Sequence, residues 1–308
     1  MAIDTVKVQI NGSWFSLTKN ATTGKYEGTI AAPNITSFNK PGGYYPVTVE
    51  AKDLAGNTTT VNDSHSTLGN QLKLFVKETT KPTITITAPA SGAYLGTNTP
   101  AISIQLRDEA NGSGIKISTL QIKIDNGPTI TNTNPGVTVT SVSGGYDVTY
   151  VPQSALSDGS HTVTVDIQDN DGNAATQASR SFTVDTVPPT LNVTNPAETV
   201  SYKNTAPLTV TGQTNDVTSS TVTVEIELNG VDQGEVAVDA NGNFSKSVTL
   251  AEGENAIIVT ATDLAGKTTS VTRTVYLDTV APVVESITIV PNPVNVGQNY
   301  VITVEVSD

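Results

Sequence analysis

Histidine and cysteine usage limits the chemistry open to this chain of 308 residues. It has no cysteine, which excludes disulfides, thiolate metal sites and a cysteine nucleophile. Of its two histidines, His65 stands in a Ser-His-Ser loop and His161 at the start of a predicted strand, and neither has a partner at metal-ligand or triad spacing. We expect both to be ordinary surface or edge residues. Since the sequence also has no phosphate-binding loop, we expect that the chain is not an enzyme.

The carboxylates offer a second chemistry, which is ligation of a hard cation such as calcium by oxygen atoms. The densest group, Asp169-Asn-Asp171-Gly-Asn173, lacks the later glutamate of a helix-loop-helix site. Aspartate, asparagine and glycine are also common hairpin-turn residues, so turn chemistry alone and calcium binding both stay open. The candidate ligands lie where predicted strands end or repeats join: Asp108, Asp169 and Asp171 with Glu109 at one join, and Asp185, Asp216 and Asp263 at the next.

Charge and hydropathy exclude two classes of partner. The 16 basic and 29 acidic residues give a net charge of -13, which repels the phosphates of nucleic acids. No segment approaches the ~18 consecutive apolar residues of a membrane span. The first residues run directly into an alternating pattern and resemble no secretion signal. Either a signal was removed before this numbering, or the protein is made in the cytoplasm and leaves by another route.

The elements that carry these residues are predicted strands that repeat three times along the chain. Hydrophobic residues make up 36% of the sequence, and the abundance of threonine and valine favours strands over helices. Each repeat has a strand ending in Asn-Gly, a glycine just before an aromatic residue, and a strand closing in an acidic turn. These landmarks are Gly12, Gly127 and Gly230, then Tyr26, Tyr146 and Phe244, then Asp53, Asp169 and Asp263.

Within each repeat, apolar and polar residues alternate over four to eight positions between glycine, asparagine, aspartate and proline residues, which indicates strands with one face on a core. About seven such strands per hundred residues predict a Greek-key sandwich. Prolines at the joins, such as Pro82, Pro189 and Pro282, restrict the backbone and predict short stiff links, and hence an elongated rod. We place the units at 1–80, 81–187, 188–280 and 281–308.

The turns and joins carry a family resemblance. The Asp-x-Ala-Gly-Asn turn at residues 53–57, the Asp-Thr-Val-Pro-Pro join at 185–189 and the Asp-Glu-Ala-Asn-Gly-Ser-Gly segment at 108–114 resemble the bacterial immunoglobulin-like repeats found in surface adhesins and in tail or fibre proteins of bacteriophages. The resemblance implies tandem immunoglobulin-like sandwiches. Such repeats serve as spacers, grips and decorations, so the fold alone does not assign a function.

The terminal units are predicted to be incomplete in complementary ways. The interval from the join proline to the aspartate after the second strand is 26, 27 and 26 residues, in the pairs Pro82–Asp108, Pro189–Asp216 and Pro282–Asp308. Residues 281–308 therefore read as the first two strands, A and B, of a further unit, and the unit at 1–80 reads as lacking these strands. We expect the hairpin of one copy to complete the first unit of another. Its inward residues would be Ile287 and Ile289, aligned with Ile84 and Ile86, and Ile302, Val304 and Val306.

Other readings of the ends stay open. In one reading the first unit has a smaller complete fold of its own. In another the sequence is an arbitrary cut, and in a third the donor of the missing strands is a different protein. Aromatic residues are few, and we expect Trp14, two residues after Asn-Gly, to pack under the sandwich rather than to stack on a carbohydrate.

Two classes of function remain. The first is a structural or adhesive part of a bacteriophage tail or related particle, made in the bacterial cytoplasm, with other copies of itself or other virion proteins as partners. The second is a fragment of a bacterial cell-surface adhesin or surface-layer protein. A module that accompanies an enzyme is a more distant third. A cell-surface receptor is a candidate partner for either of the first two, because loop tips at one end of a sandwich are common recognition sites.

Overall fold

The structure is a computed structural model that describes residues 2–218 and 221–308. Apart from three 3-10 turns at Pro41–Gly43, Gly69–Leu72 and Ile117–Thr119, these residues form strands and loops, which confirms the predicted all-β class. No helix within these ranges is long and apolar enough to cross a membrane. The chain forms two compact units, Met1–Ala93 with Thr99–Thr183, and Tyr94–Asn98 with Val184–Asp308.

The first repeat is a single sheet. Its strands are β1 (Ile3–Ile10), β2 (Ser13–Lys19), β3 (Tyr26–Glu27), β4 (Tyr45–Asp53), β5 (Thr58–Val61) and β6 (Lys73–Leu74). They run in the order β3-β2-β1-β4-β5, with β6 paired to β4. Asn11 and Gly12 have φ values of 48° and 81°, as a tight two-residue hairpin turn requires. This turn pairs Ile10 with Ser13 and so fixes which residues of β2 face each side.

One face of this sheet is apolar. Val8 lies opposite both Phe15 and Val49, and the neighbouring rows on the same face add Val6, Ile10, Leu17, Val47, Ala51 and Val61. Of these residues only Val8 is buried, at 9% exposure, and the others are half-buried. Trp14 pairs with Gln9 on the opposite face and is 45% exposed. The expectation that Trp14 packs under the sandwich is therefore wrong, and Phe15 takes the inward position.

The second repeat is a complete two-sheet sandwich. Its strands are β7 (Thr83–Ala88), β8 (Tyr94–Leu95), β9 (Ile102–Arg107), β10 (Gln121–Ile124), β11 (Val137–Val142), β12 (Gly145–Tyr150), β13 (Gly159–Asp166) and β14 (Ala178–Val184). They form sheets of order β11-β12-β9-β7 and β10-β13-β14-β8. Inward residues of both sheets, such as Ile104, Ile122 and Phe182, are at most 1% exposed.

The third repeat has the same plan. Its strands are β15 (Thr190–Asn195), β16 (Val200–Lys203), β17 (Leu208–Asn215), β18 (Thr223–Leu228), β19 (Val231–Asp232), β20 (Asn243–Val248), β21 (Gly253–Thr262) and β22 (Thr268–Leu277). The sheets have the order β15-β17-β20 and β16-β22-β21-β18-β19. Val210, Ile226, Ile257 and Val259 are fully buried in one core cluster.

A separate hairpin follows, made of β23 (Val283–Val290) and β24 (Val301–Ser307). Val284 lies opposite Val306, just as Ile84 lies opposite Leu106 in the second repeat. The alignment of Ile84 with Ile287 is therefore wrong, because an irregularity after Val284 shifts the register of β23 and the sequence pattern does not reveal it. Ile287 pairs with Val304 on the same face, as Ile86 pairs with Ile104.

We expect equivalent inward positions of the first and third repeats to differ in their contribution to stability. Ile257 and Val47 each lie six residues before the turn aspartate, but only Ile257 is fully buried. Ile257→Ala should cost about 2–5 kcal/mol of local unfolding free energy, and Val47→Ala less than half as much in dilute solution. Amide hydrogen exchange of β21 and β4 measures both losses, and equal losses would contradict the difference in burial.

Candidate functional site

Four aspartate turns share one backbone geometry. In the turns that begin at Asp53, Asp169, Asp239 and Asp263, the aspartate N–H donates to the carbonyl oxygen four residues later. The aspartate Oδ1 accepts the N–H of that same residue at 2.8–2.9 Å. This local closure makes aspartate the residue that starts each turn, whatever else its carboxylate binds.

The second carboxylate oxygen distinguishes one turn from the other three. Asn57, Asn173 and Asn243 donate their side-chain amides to it at 2.9, 2.7 and 3.0 Å. The hydrogen bonds from the asparagine side chains are the main reason that the pKa values of Asp53 and Asp239 lie below their usual range. In the turn of Asp263, Lys267 replaces the asparagine, and Asp263 Oδ2 is buried with no hydrogen-bond partner.

Asp263 belongs to a buried group of three aspartates. Asp216 follows β17, Asp263 follows β21, and Asp185 lies four residues before Pro189, which immediately precedes β15. The three residues are 0–6% exposed, and a carboxylate oxygen from each lies within 4.8 Å of the others. Asp216 Oδ1 accepts the Thr218 N–H at 2.7 Å, which fixes its side chain.

This arrangement suits a divalent cation. Burying carboxylates beside each other is costly because like charges repel in a medium of low dielectric constant. Calcium binds oxygens at 2.3–2.6 Å, so two oxygens on one ion are at most about 5 Å apart. The spacing of the three aspartates meets that limit, and the unpartnered Asp263 Oδ2 gives the group an oxygen that no protein donor uses.

A second acidic group occupies the corresponding place in the second repeat. Glu78 lies four residues before Pro82, and Asp108 follows β9, as Asp185 and Asp216 do in the third repeat. With Glu109 they form a three-carboxylate cluster within 4.8 Å. Glu78 Oε2 and Asp108 Oδ1 are buried and unpartnered. Burial raises the pKa of Glu78, and the neighbouring Glu109 carboxylate raises it further.

The two groups contain four of the six predicted calcium ligands, namely Asp108, Asp185, Asp216 and Asp263. Asp169 is fully buried, but both its oxygens accept hydrogen bonds within its own turn. Asp171 Oδ2 instead accepts the Thr36 hydroxyl and the Glu78 N–H, at 2.5 and 3.0 Å.

Sequence reasoning missed Glu78, although its position relative to Pro82 matches that of Asp185 relative to Pro189. Calcium occupancy stays a prediction.

The histidines differ from each other. His65 is exposed, and its Nδ1 accepts backbone N–H groups of Thr67 and Leu68 at 3.3 and 3.2 Å. His161 is only 6% exposed, so the expectation of a surface or edge residue is wrong for it. Its ring nitrogens contact Asp125 at 2.5 Å and the Ser157 carbonyl at 2.7 Å. Burial lowers the pKa of His161, but these two hydrogen bonds outweigh it and raise the pKa.

We expect calcium to bind the Asp185 group and to raise the melting temperature, because a ligand of the folded state stabilises it. Asp263→Asn should abolish this effect. Lys267→Asn keeps all three carboxylates but restores the amide donor to Asp263 Oδ2, so it should weaken binding about tenfold or more. Calorimetric titration measures the calcium affinity of each variant, and thermal unfolding with and without calcium measures the shift in melting temperature.

The matched control is Asn243→Lys, which frees the Oδ2 of Asp239 in a turn that is exposed. It should create no new site. Calcium affinity that is unchanged in Lys267→Asn would show that the free oxygen does not bind the ion.

We expect Glu78→Gln to stabilise the first compact unit in chelator at neutral pH. A carboxyl group with a raised folded pKa favours folding when protonated, so its contribution is present at low pH and is lost as pH rises through the folded pKa. In calcium the same change should destabilise the unit, because a ligand is lost. Thermal unfolding from acidic to neutral pH, with exposed Glu198→Gln as the control, measures this reversal. The same sign in both buffers would contradict cation binding there.

Comparison with known proteins agrees with the sheet topology. Residues 94–186 match the family model of a bacterial Ig-like domain, and residues 189–279 match the model of glucodextranase domain B. No curated protein sequence gives a significant match.

Three solved structures are among those found to be similar to this chain. The fibronectin(III)-like modules of Clostridium thermocellum CbhA are 17% identical, with 64% of this chain and 94% of that chain covered and a TM-score of 0.39. Immunoglobulin domains 1–4 of Sidekick-1 are 12% identical, with 89% and 67% covered and a TM-score of 0.36. A bacterial ice-binding adhesin of 1.5 MDa is 22% identical, with 90% and 88% covered and a TM-score of 0.30.

The two family matches fall within the two complete sandwiches, β7–β14 and β15–β22, whose sheets follow one plan. The first sheet lies outside both matches and shares only the sequence landmarks of the other two repeats. The chain therefore contains a bacterial Ig-like domain, at residues 94–186, within a series of all-β repeats.

Proposed function

We propose that this protein is a non-enzymatic structural and adhesive component of a bacteriophage tail or related particle, and that its copies join end to end by strand complementation. The supporting observation is a pair of incompletely covered apolar faces whose inward residues follow the same pattern. One lies on the first sheet and the other on the β23–β24 hairpin. In the two complete sandwiches the corresponding faces cover each other.

The first sheet supplies the acceptor face. Val8 and Val49 pair with each other, as do Ile122 with Val165 and Ile226 with Val259 in the complete sandwiches. All four residues of the complete sandwiches are 0% exposed. On the first sheet Val8 is buried, but Val49, Phe15 and the other apolar residues of this face are only half-buried, so a second layer would remove further apolar surface from water there.

The hairpin supplies the donor face. Ile302, Val304 and Val306 occupy the positions of Ile102, Ile104 and Leu106, which are at most 1% exposed in the second repeat. In the hairpin the three residues are 47–55% exposed, and their partners on β23 are 40–62% exposed.

Burial of five such side chains is worth roughly 10 kcal/mol before the entropy cost of ordering. A two-stranded hairpin is at best marginally stable alone in water. Docking would therefore stabilise the hairpin itself as well as bury its apolar face.

Such a contact joins different surfaces of two copies, so it generates a ring or a filament according to whether the rotation closes. Addition of strands to an incomplete fold is an established mode of joining chains. Assembly of this kind suits a particle built from many copies, which is why we favour a tail or fibre over a cell-surface adhesin. Mass spectrometry of purified particles and of cell envelopes from the source tests this location, and recovery only from envelopes would favour the adhesin.

We expect Val304→Asp to abolish association of the full chain, because it places an unpaired charge where the donor face meets the acceptor. Thr303→Asp is the matched control, since it adds the same charge on the opposite face of β24 and should leave association intact. Sedimentation velocity over a range of concentrations measures both. A wild-type chain that stays monomeric at every concentration, with spectra of an intact fold, would overturn complementation between copies.

A further inference from the structure

The outer face of the first sheet carries a cleft of about 430 Å³, within the range of small-molecule sites. Its lining combines an aromatic ring with short polar side chains: Gln9, Asn11, Lys40, Tyr44, Thr48 and Asp63. Gln9 and Thr48 are cross-strand partners on this face, which is the side away from Val8 and Val49. Tyr45, from the side of Val49, also lines the cleft, but it is buried at 2% exposure, so the exposed part of the cleft is separate from the proposed acceptor face.

Tyr44 is held in a fixed orientation. Its hydroxyl donates to Asp63 Oδ2 at 2.8 Å, and its ring packs at 6.1 Å between centroids against Phe75. Gly42 has a φ of 75° and passes so close that a Cβ there would lie 2.6 Å from the Tyr44 ring. The ring is thus positioned before any ligand arrives, which lowers the entropy cost of binding.

The polar groups around this ring offer both donors and acceptors. The Gln9 amide donates to the Gly12 carbonyl at 3.3 Å, which leaves its oxygen as an acceptor. Lys40 Nζ lies 5.1 Å from the centre of the Tyr45 ring, a cation–π distance. The lining holds one lysine and one aspartate, and Lys73 Nζ lies 5.1 Å from the centre of the Tyr44 ring. The cleft thus offers cationic donors beside a carboxylate acceptor, and not the cluster of cations that recognises a polyanion.

The only tryptophan of the chain lies beside the cleft. Trp14 is the cross-strand neighbour of Gln9 on the same outer face, and 45% of its surface is exposed. Exposed tryptophan and tyrosine rings supply large amphipathic contact area at small entropy cost. A flat apolar surface edged by amides, a hydroxyl and a carboxylate matches a ligand with an apolar ring face and hydroxyl groups around its rim.

We infer that this cleft on the first sheet binds a neutral saccharide, with Tyr44 stacking on a sugar ring and Gln9, Asn11 and Asp63 bonding its hydroxyls. Trp14 extends the contact to an adjoining ring. The inference goes beyond the proposed function and does not depend on it, because it concerns a different face and requires no association of copies.

The full-length protein tests this with three neutral probes, cellotetraose, maltotetraose and chitotetraose, each titrated into the tens of millimolar range. Trp14 fluorescence reports on the cleft alone, and calorimetry gives the affinity. At least one probe should saturate. Tyr44→Ala and Asp63→Asn should each weaken binding about tenfold or more, whereas Tyr202→Ala, which removes a 77% exposed tyrosine elsewhere, should not.

Tyr44→Phe keeps the stacking ring and serves as a second variant if Tyr44→Ala disturbs the fold. It should retain part of the affinity. No saturation with any of the three probes, or binding that all the cleft variants leave unchanged, would overturn the saccharide site. Sedimentation of the same variants should show unaltered association, so a failure here is distinct from a failure of strand complementation.

Discussion

Burial of one apolar sheet face against a second sheet is the interaction on which this molecule depends. Alternating strands place apolar side chains on one side only, and that side must be covered for the strands to be stable. In the second and third repeats the cover is complete, and inward residues such as Ile122 and Ile226 are fully buried. The first sheet and the β23–β24 hairpin carry the same inward pattern with incomplete cover, as the exposures of Val49 and Val304 show.

The same strand plan also gathers carboxylates at one end of each sandwich. In the third repeat Asp185, which precedes the join proline, lies close to Asp216 after the second strand and to Asp263 of the acidic turn. In the second repeat Glu78 lies close to Asp108 and Glu109. What decides the chemistry is how each oxygen is used. Asn173 satisfies Asp169 within its own turn, whereas Lys267 leaves Asp263 Oδ2 without a donor. A change of one residue in a turn thus separates a structural aspartate from a candidate ligand.

Much of the fold is predictable from the sequence because its signals are local. The strict alternation of apolar and polar residues, the Asn-Gly turns and the aspartate turns each involve only a few neighbouring residues. The sequence also contains the information that Phe15, and not Trp14, points inward, because a two-residue turn at Asn11-Gly12 places Trp14 opposite Gln9. The shifted register after Val284 and the burial of His161 depend on cross-strand packing, and the pattern of one strand does not contain them.

The acidic groups were predictable from the sequence only in part. Their aspartates were predictable from the strand ends, but the participation of Glu78 and the self-satisfied state of Asp169 depend on which side-chain atoms meet in three dimensions. The saccharide cleft was the least predictable from the sequence, because Gln9 comes from β1 whereas Tyr44 and Asp63 come from two separate loops. Composition alone indicated few aromatic residues and gave no reason to bring Tyr44 and Trp14 to one face.

The central claim is that two incompletely covered faces cover each other between copies. Hydrogen–deuterium exchange of the full chain at increasing concentration tests it most directly, because exchange reports local opening of each strand. If the two faces cover each other, protection of β24, β1 and β4 should rise together as concentration increases, while protection of β13 and β21 stays constant. Protection of β24 and β1 that is independent of concentration would contradict it.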